Sequence, residues 1–296
     1  MTPVRIACVR YLNTLPLIEG LDVFAHNTEM IELVATTPSR IGAMVASGEA
    51  DLGLVSVIDA ARLPTPMAQL PVGMIGSDGP TMTVRLFSDV PIDQITTLHA
   101  DVESHTSVAL ARVLLNELHA ISPIIVPYDA REGIEHDGDA DRVSASLWPE
   151  SLLLIGDKVV CAHLPEGRYI HQLDLGETWK NLTGLSFVYA TWMCPRDRTD
   201  DPAILSACAL LDRQRRHNTT RLDWVAQQHA HSFGWDIELA RNYLGRMLRY
   251  SVGNREQEAA RLFIEKAHAR GLVDRSADQS LCWVDAAKIR SMCVVS

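Results

Sequence analysis

The stretch Val4-Arg5-Ile6-Ala7-Cys8-Val9-Arg10-Tyr11-Leu12-Asn13-Thr14-Leu15-Pro16-Leu17 decides the fold. Val4 to Val9 is a largely apolar, β-branched run that reads as a strand. Asn13-Thr14 then reads as a helix cap, and Pro16 falls inside the first turn, where its missing N–H costs little. A strand that passes through an amide-and-hydroxyl turn straight into a helix opens an α/β unit, and it leaves Asn13 at the strand-to-helix turn.

The same pattern recurs downstream. Leu33 to Thr36 reads as a second strand; Thr37 caps a helix opened by Pro38, with Ile41, Met44 and Val45 inward and Gly48 at its end. Asp51 to Val55 reads as a third strand, with Ser56 capping the segment after it. Pro64 and Pro66 interrupt the chain beyond, and Val84 to Phe87 reads as a strand leaving a first lobe. Thr97 to Val102, the polar turn Ser104-His105-Thr106-Ser107, a helix to about Leu118 and a strand at Ile124 to Val126 make a second α/β unit. Leu152 to Ile155 is an apolar strand ending at Gly156-Asp157, and Phe187 to Trp192 reads as a strand returning to the first lobe. From Pro202 onward the pattern is helical, with Ala259, Phe263 and Ala267 at i, i+4 spacing before Gly271. The expected organisation is a discontinuous first lobe, residues 1–88 and 191–296, with a second lobe, residues 89–190, inserted.

A chain of 296 residues is long enough for two such lobes, and 47% hydrophobic with 22% charged residues is a globular composition. The balance of 27 Lys+Arg against 37 Asp+Glu gives a net charge of -10, and the absence of a basic run argues against nucleic acid as a partner. No apolar stretch is long enough to span a bilayer, so no membrane partner is expected. Met1 to Arg10 lacks the apolar core of an export signal, and the six scattered cysteines have no CxxC spacing. Both features point to a cytoplasmic protein with reduced thiols acting as small hydrophobes.

Other signals fail on inspection. Asp137, Asp139 and Asp141 imitate a calcium loop, but Arg142 occupies the position that needs Gly and Trp148 the position that needs Glu. His229 and His231 lack zinc spacing, and Cys161 with His163 lacks an orienting third group. No P-loop, dinucleotide fingerprint or nucleophile elbow is present in the sequence.

The segments Tyr11-Leu12-Asn13-Thr14-Leu15-Pro16-Leu17, Gly48-Glu49-Ala50-Asp51-Leu52-Gly53, Asp78-Gly79-Pro80, Thr106-Ser107, Leu154-Ile155-Gly156-Asp157, Asp174-Leu175-Gly176 through Trp179, and Thr183-Gly184-Leu185 to Phe187 stand in one register. Together they resemble the chorismate dehydratases of the futalosine route to menaquinone, strongly from about Val4 to Arg196 and weakly beyond. The resemblance implies an α/β fold of the type II periplasmic-binding-protein kind, two lobes around a central cleft. It implies a carbon–oxygen hydro-lyase that converts chorismate, a small dianion, to 3-[(1-carboxyvinyl)oxy]benzoate and water, with neither cofactor nor metal. Asn13 matches the family Asn and is the expected catalytic residue, orienting the departing hydroxyl or the carboxylate beside it; capping a helix is its structural alternative. Thr83, the second expected catalytic residue, stands where the family has Ser, which keeps a hydroxyl and adds a methyl group; a plain strand threonine is its structural alternative. Ser104, Thr106 and Ser107 match a hydroxyl-rich turn and, with Ser56, are the expected substrate-binding residues, each also able to serve as a simple cap.

Asp157 reads as a hinge or capping residue, because an unpaired carboxylate would repel a dianion, and Trp179 and Trp192 read as core packing. Pro149-Glu150 departs from the small-residue–Asp pair common in the family. Two rivals stay open: a 1,4-dihydroxy-6-naphthoate synthase-like enzyme of the same route, and a non-catalytic protein binding a small anion. The sequence sets neither the proton acceptor nor the oligomeric state.

Overall fold

The computed structural model describes residues 2–129, 148–162 and 164–291. Two sheets organise the described chain. The first has the order β11-β4-β10-β3-β1-β2, built from β1 (Val4–Cys8), β2 (Ile31–Ala35), β3 (Leu52–Ser56), β4 (Met67–Ser77), β10 (Phe187–Pro195) and β11 (Leu248–Arg249). The second has the order β7-β6-β8-β5-β9, from β5 (Val84–Ser88), β6 (Thr97–Asp101), β7 (Ile124–Tyr128), β8 (Ser151–Ile155) and β9 (His171–Asp174).

Each sheet has a parallel trio crossed by an antiparallel strand. β2, β1 and β3 run parallel, and β10 enters antiparallel to β3 and β4. Likewise β7, β6 and β8 run parallel, and β5 lies antiparallel to β8 and β9. These two antiparallel strands come just after the two chain crossings, so pairing moves both crossings earlier than Ser88 and Thr191. Val84–Ser88 belongs to the second sheet and all of Phe187–Pro195 to the first. Hydropathy cannot locate such a crossing, because an apolar strand reads alike in either sheet.

Three strands escaped the sequence reading, among them the two-residue β11 inside the stretch read as helical. β4 is eleven residues long, but Pro71, Gly73 and Gly76 break its pattern, and register shifts opposite Val188 to Trp192 show why they are tolerated there. β9 is a four-residue edge strand too short to carry a period. Capping also differs at three expected positions, of which Thr37 holds the N-cap place of the Pro38–Ser47 helix without a side-chain cap bond. Asn13 lies within a 3₁₀ turn, Leu12–Thr14, and makes no cap bond; Ser56 ends β3 rather than opening a helix. The helical segments behind them, Leu15–Ile18 and Asp59–Arg62, are single turns with little end charge to offer an anion.

One apolar core fills the first sheet and the C-terminal helices, around Ile6, Leu54, Trp192, Tyr243 and Leu244. A second runs from the second sheet into the junction, where the Asn254–Ala269 helix places Ala260, Phe263 and Ala267 against Leu110, Trp179 and Phe187. Trp179 and Trp192 are fully buried core residues as expected, and Trp179 Nε1 donates to the Ser186 carbonyl at 3.0 Å. Cys8, Cys194 and Cys208 are buried, and the five described cysteines are unpaired. No described helix is long and apolar enough to cross a membrane. The acidic triplet Asp137, Asp139, Asp141 and the ring of His163 lie outside the described residues.

Candidate active site

Parallel strands expose their carboxyl ends at one edge of a sheet, and that edge is where α/β proteins bind ligands. Here the carboxyl ends of β1, β3, β6 and β8 lead into Asn13, Ser56, Ser104 and Gly156, all of which line one pocket. Its empty space is about 640 Å³, open mouth included. All six residues singled out from the sequence line it: Asn13, Ser56, Thr83, Ser104, Thr106 and Ser107. They come from both sheets, so the pocket lies at the junction of the two halves.

Asn13 and Thr83 are brought together through a residue the sequence reading missed. Asn13 Nδ2 donates to Tyr243 Oη at 3.3 Å, and Tyr243 Oη lies 2.6 Å from Thr83 Oγ1. Thr14 Oγ1 donates to Asn13 Oδ1 at 3.2 Å, which fixes the amide with its nitrogen toward Tyr243. Tyr243 begins a π-helical turn, Tyr243–Met247, and stacks on Trp235 with ring centroids 4.8 Å apart. Trp235 Nε1 in turn donates to Asp157 Oδ1 at 2.9 Å. No motif links these positions, since Tyr243 is 160 residues from Thr83 and 230 from Asn13.

Thr83 is set by a tight loop. The buried Asp174 carboxylate accepts from the N–H groups of Thr81 and Met82 on one side and of Gly176 and Glu177 on the other. It therefore caps the Leu175–Thr183 helix and holds the loop before β5 with the same two oxygens. Met82 sits at φ 61°, a left-handed conformation that this cradle stabilises.

On the second sheet, Ser104 caps the fifteen-residue His105–His119 helix, its Oγ accepting from Ser107 N at 3.1 Å. That reading is met, although it uses one of the N–H groups an anion could have taken. Thr106 Oγ1 accepts from Ile58 N at 3.4 Å, and the Asp59 carboxylate meets His105 Nδ1 at 2.9 Å, so this helix end also ties the halves together.

The pocket has a charged wall. Glu103 lines it, receives a hydrogen bond from Tyr11 Oη and pairs with Lys158 Nζ at 2.7 Å, while Lys158 also lies 2.6 Å from Asp101. Burial pushes the Asp101 carboxyl and the Tyr11 phenol above their ordinary ranges, Asp101 being drawn back by Lys158. Asp157 stands behind the lining, where its Oδ2 accepts from Leu12 N at 3.4 Å. Burial raises it to about 6 against the opposing pull of Leu12, Trp235 and Lys158. It is a brace between the β8 end and the first sheet, and its side chain makes no cap bond to the Lys158–Cys161 helical turn that follows it. Among the described residues, no group of three or more His, Cys, Asp and Glu is arranged to hold a metal ion.

Two α/β sheets joined by two crossings, with a pocket at their junction, define a protein of the periplasmic-binding-protein fold. The periplasmic aliphatic sulphonate-binding protein of Escherichia coli superposes with a TM-score of 0.59 at 12% identity, over 95% of this chain and 92% of that one. The chain belongs to the menaquinone biosynthesis family, whose model matches residues 4–269. It is 28% identical to the chorismate dehydratase of Thermus thermophilus over 279 residues, 90% of this chain and 95% of that protein. A shorter match, 24% identity over 45% of this chain and 56% of that one, links it to the chorismate dehydratase of Campylobacter jejuni.

Proposed function

We propose that this protein is a chorismate dehydratase, a hydro-lyase that takes chorismate to 3-[(1-carboxyvinyl)oxy]benzoate and water in menaquinone biosynthesis. The observation that carries the reading furthest is the convergence of Asn13 and Thr83 with the Ser104–Ser107 turn on one pocket. Membership of the menaquinone biosynthesis family and the likeness to curated chorismate dehydratases support it.

The chemistry asks for little beyond positioning. Loss of the ring hydroxyl and of the proton on the neighbouring ether-bearing carbon makes the ring aromatic, so the driving force lies in the substrate. The protein holds the ring, helps hydroxide depart and excludes water. In this reading Asn13 and Thr83 face the departing hydroxyl, and Ser56, Ser104, Thr106 and Ser107 hydrogen bond a carboxylate. Lys158 is committed to the two carboxylates Asp101 and Glu103, so binding of the substrate carboxylate is left to these neutral donors. The proposal includes a cytoplasmic setting and two lobes that close on the substrate, with the crossings between Ser77 and Val84 and between Asp174 and Phe187.

Mixing purified protein with chorismate, beside an Asn13→Ala control, and following absorbance and mass tests the reading. Loss of one water to an enolpyruvyl benzoate, abolished in the variant, is the expected result. Chorismate left intact where a curated relative consumes it would overturn the reading and leave anion binding as the next thing to screen.

A further inference from the structure

We propose that Tyr243 is a positioning residue that aims the Thr83 hydroxyl proton into the pocket. The inference rests on the reading that Asn13 and Thr83 face the reacting ring. An amide nitrogen only donates, and Thr14 fixes the Asn13 amide so that Nδ2 faces Tyr243 Oη. That bond occupies an acceptor site on the phenol oxygen, so the single phenol proton turns to its other neighbour, Thr83 Oγ1 at 2.6 Å. Thr83 Oγ1 then accepts, and its own proton is free for an acceptor in the pocket. The competing acceptor within the protein, the Thr81 carbonyl at 3.4 Å, is long for a hydroxyl bond. The direction of the whole chain, Asn13 to Tyr243 to Thr83 to ligand, is set by the amide at its head.

The phenol is built to hold this post. Tyr243 is 1% exposed, stacked on Trp235, and placed at the first residue of a π-helical turn, a distortion that often serves to aim a side chain at a functional site. Burial pushes its ionisation well above the ordinary phenol range, so it stays a neutral donor. A hydroxyl delivered to a departing oxygen stabilises the charge that develops as the C–O bond breaks, an effect confined to the transition state.

Tyr243→Phe keeps the ring stack and removes only the relay. Turnover of chorismate should fall about 10- to 100-fold in kcat while KM moves less than about threefold. In a Thr83→Ala background the same substitution should change kcat less than about twofold, because Tyr243 acts through Thr83. Unchanged kcat, or fully additive losses, would overturn the proposal. A second measurement does not depend on the substrate: ζ-¹³C-tyrosine NMR of the wild type, Thr83→Ala and Asn13→Ala, with Tyr243→Phe assigning the signal. Displacement of the Tyr243 ζ-carbon signal in both alanine variants supports the relay, and a signal unmoved in either one overturns it. A wild type that leaves chorismate intact but shows both displacements would sink the proposed reaction and keep the relay.

Discussion

Asp157→Asn should make the protein more stable at neutral pH, and the size of the gain should trace the burial of this carboxyl. In the native state the group ionises near about 6 rather than 3.8, because desolvation outweighs its bonds from Leu12 N and Trp235 Nε1 and the pull of Lys158. The native state therefore holds the proton more tightly than the unfolded chain. Stability is full below about pH 4, falls as pH rises toward about 6, and stays lowered above it. The difference of roughly two pH units corresponds to about 3 kcal/mol when the group is ionised. Asparagine has nearly the shape of the neutral acid and does not titrate, but its NH2 cannot accept, so its one oxygen keeps the 2.9 Å bond from Trp235 Nε1 and the 3.4 Å bond from Leu12 N is lost at every pH. The variant should thus lie about 1 kcal/mol below the wild type near pH 4 and gain up to about 3 kcal/mol on it by pH 7.5, a net advantage of about 2 kcal/mol and a rise in Tm of a few degrees. Urea unfolding of both proteins across this pH range, read as the difference between them, measures it. A difference that does not vary with pH, or a variant weaker at neutral pH, would show that the two N–H bonds to the carboxylate outweigh its desolvation.

Lys158→Met removes the cation shared by the buried Asp101 and Glu103 and should cost about 3–5 kcal/mol in urea unfolding at pH 7; an unchanged midpoint would mean the cluster is solvated in solution. Gly176→Ala places a Cβ about 2.6 Å from Ser77 Oγ and 2.7 Å from the Gly79 carbonyl, so the loop carrying Thr83 must shift; calorimetry should show a loss of about 1–3 kcal/mol and the chorismate assay a reduced kcat. Ser104→Ala should cost about 1 kcal/mol through the lost cap and raise KM for chorismate, whereas stability loss at constant KM would confine Ser104 to capping. Thr83→Ser should retain kcat within about threefold while Thr83→Val should lose most of it, and equal activity of the two would remove the hydroxyl from the mechanism.

Much of this molecule can be read from local sequence. The alternation of β-branched runs with capped amphipathic segments marks β1, β2, β3, β5, β6, β7, β8 and β10 within a residue or a few; burial imposes an apolar run on inner strands such as β1, β3 and β8, and β-branched residues mark the more exposed edge strands β2 and β7. Asn13 and the Ser104–Ser107 turn are legible because they follow strand ends, where α/β pockets form, whereas Thr83, just before β5, is legible only through the family resemblance. The caps read at Asn13 and Ser56 were not realised, since an amide or hydroxyl before an apolar run looks the same whether its oxygen meets a backbone N–H or a distant phenol.

By itself, then, the sequence determined the α/β class, a consequence of periodicity and turn chemistry over a few neighbouring residues, and its resemblance to a known family pointed to the hydroxyl and amide residues that line the pocket. Only the tertiary structure decided which sheet receives each crossing strand, that Asp174 holds the Thr83 loop, and that Lys158 sits between Asp101 and Glu103. It alone brought Tyr243 to Asn13 and Thr83. These facts are contacts between positions far apart in the chain, and a residue's local pattern carries no record of the partner that packing will set beside it.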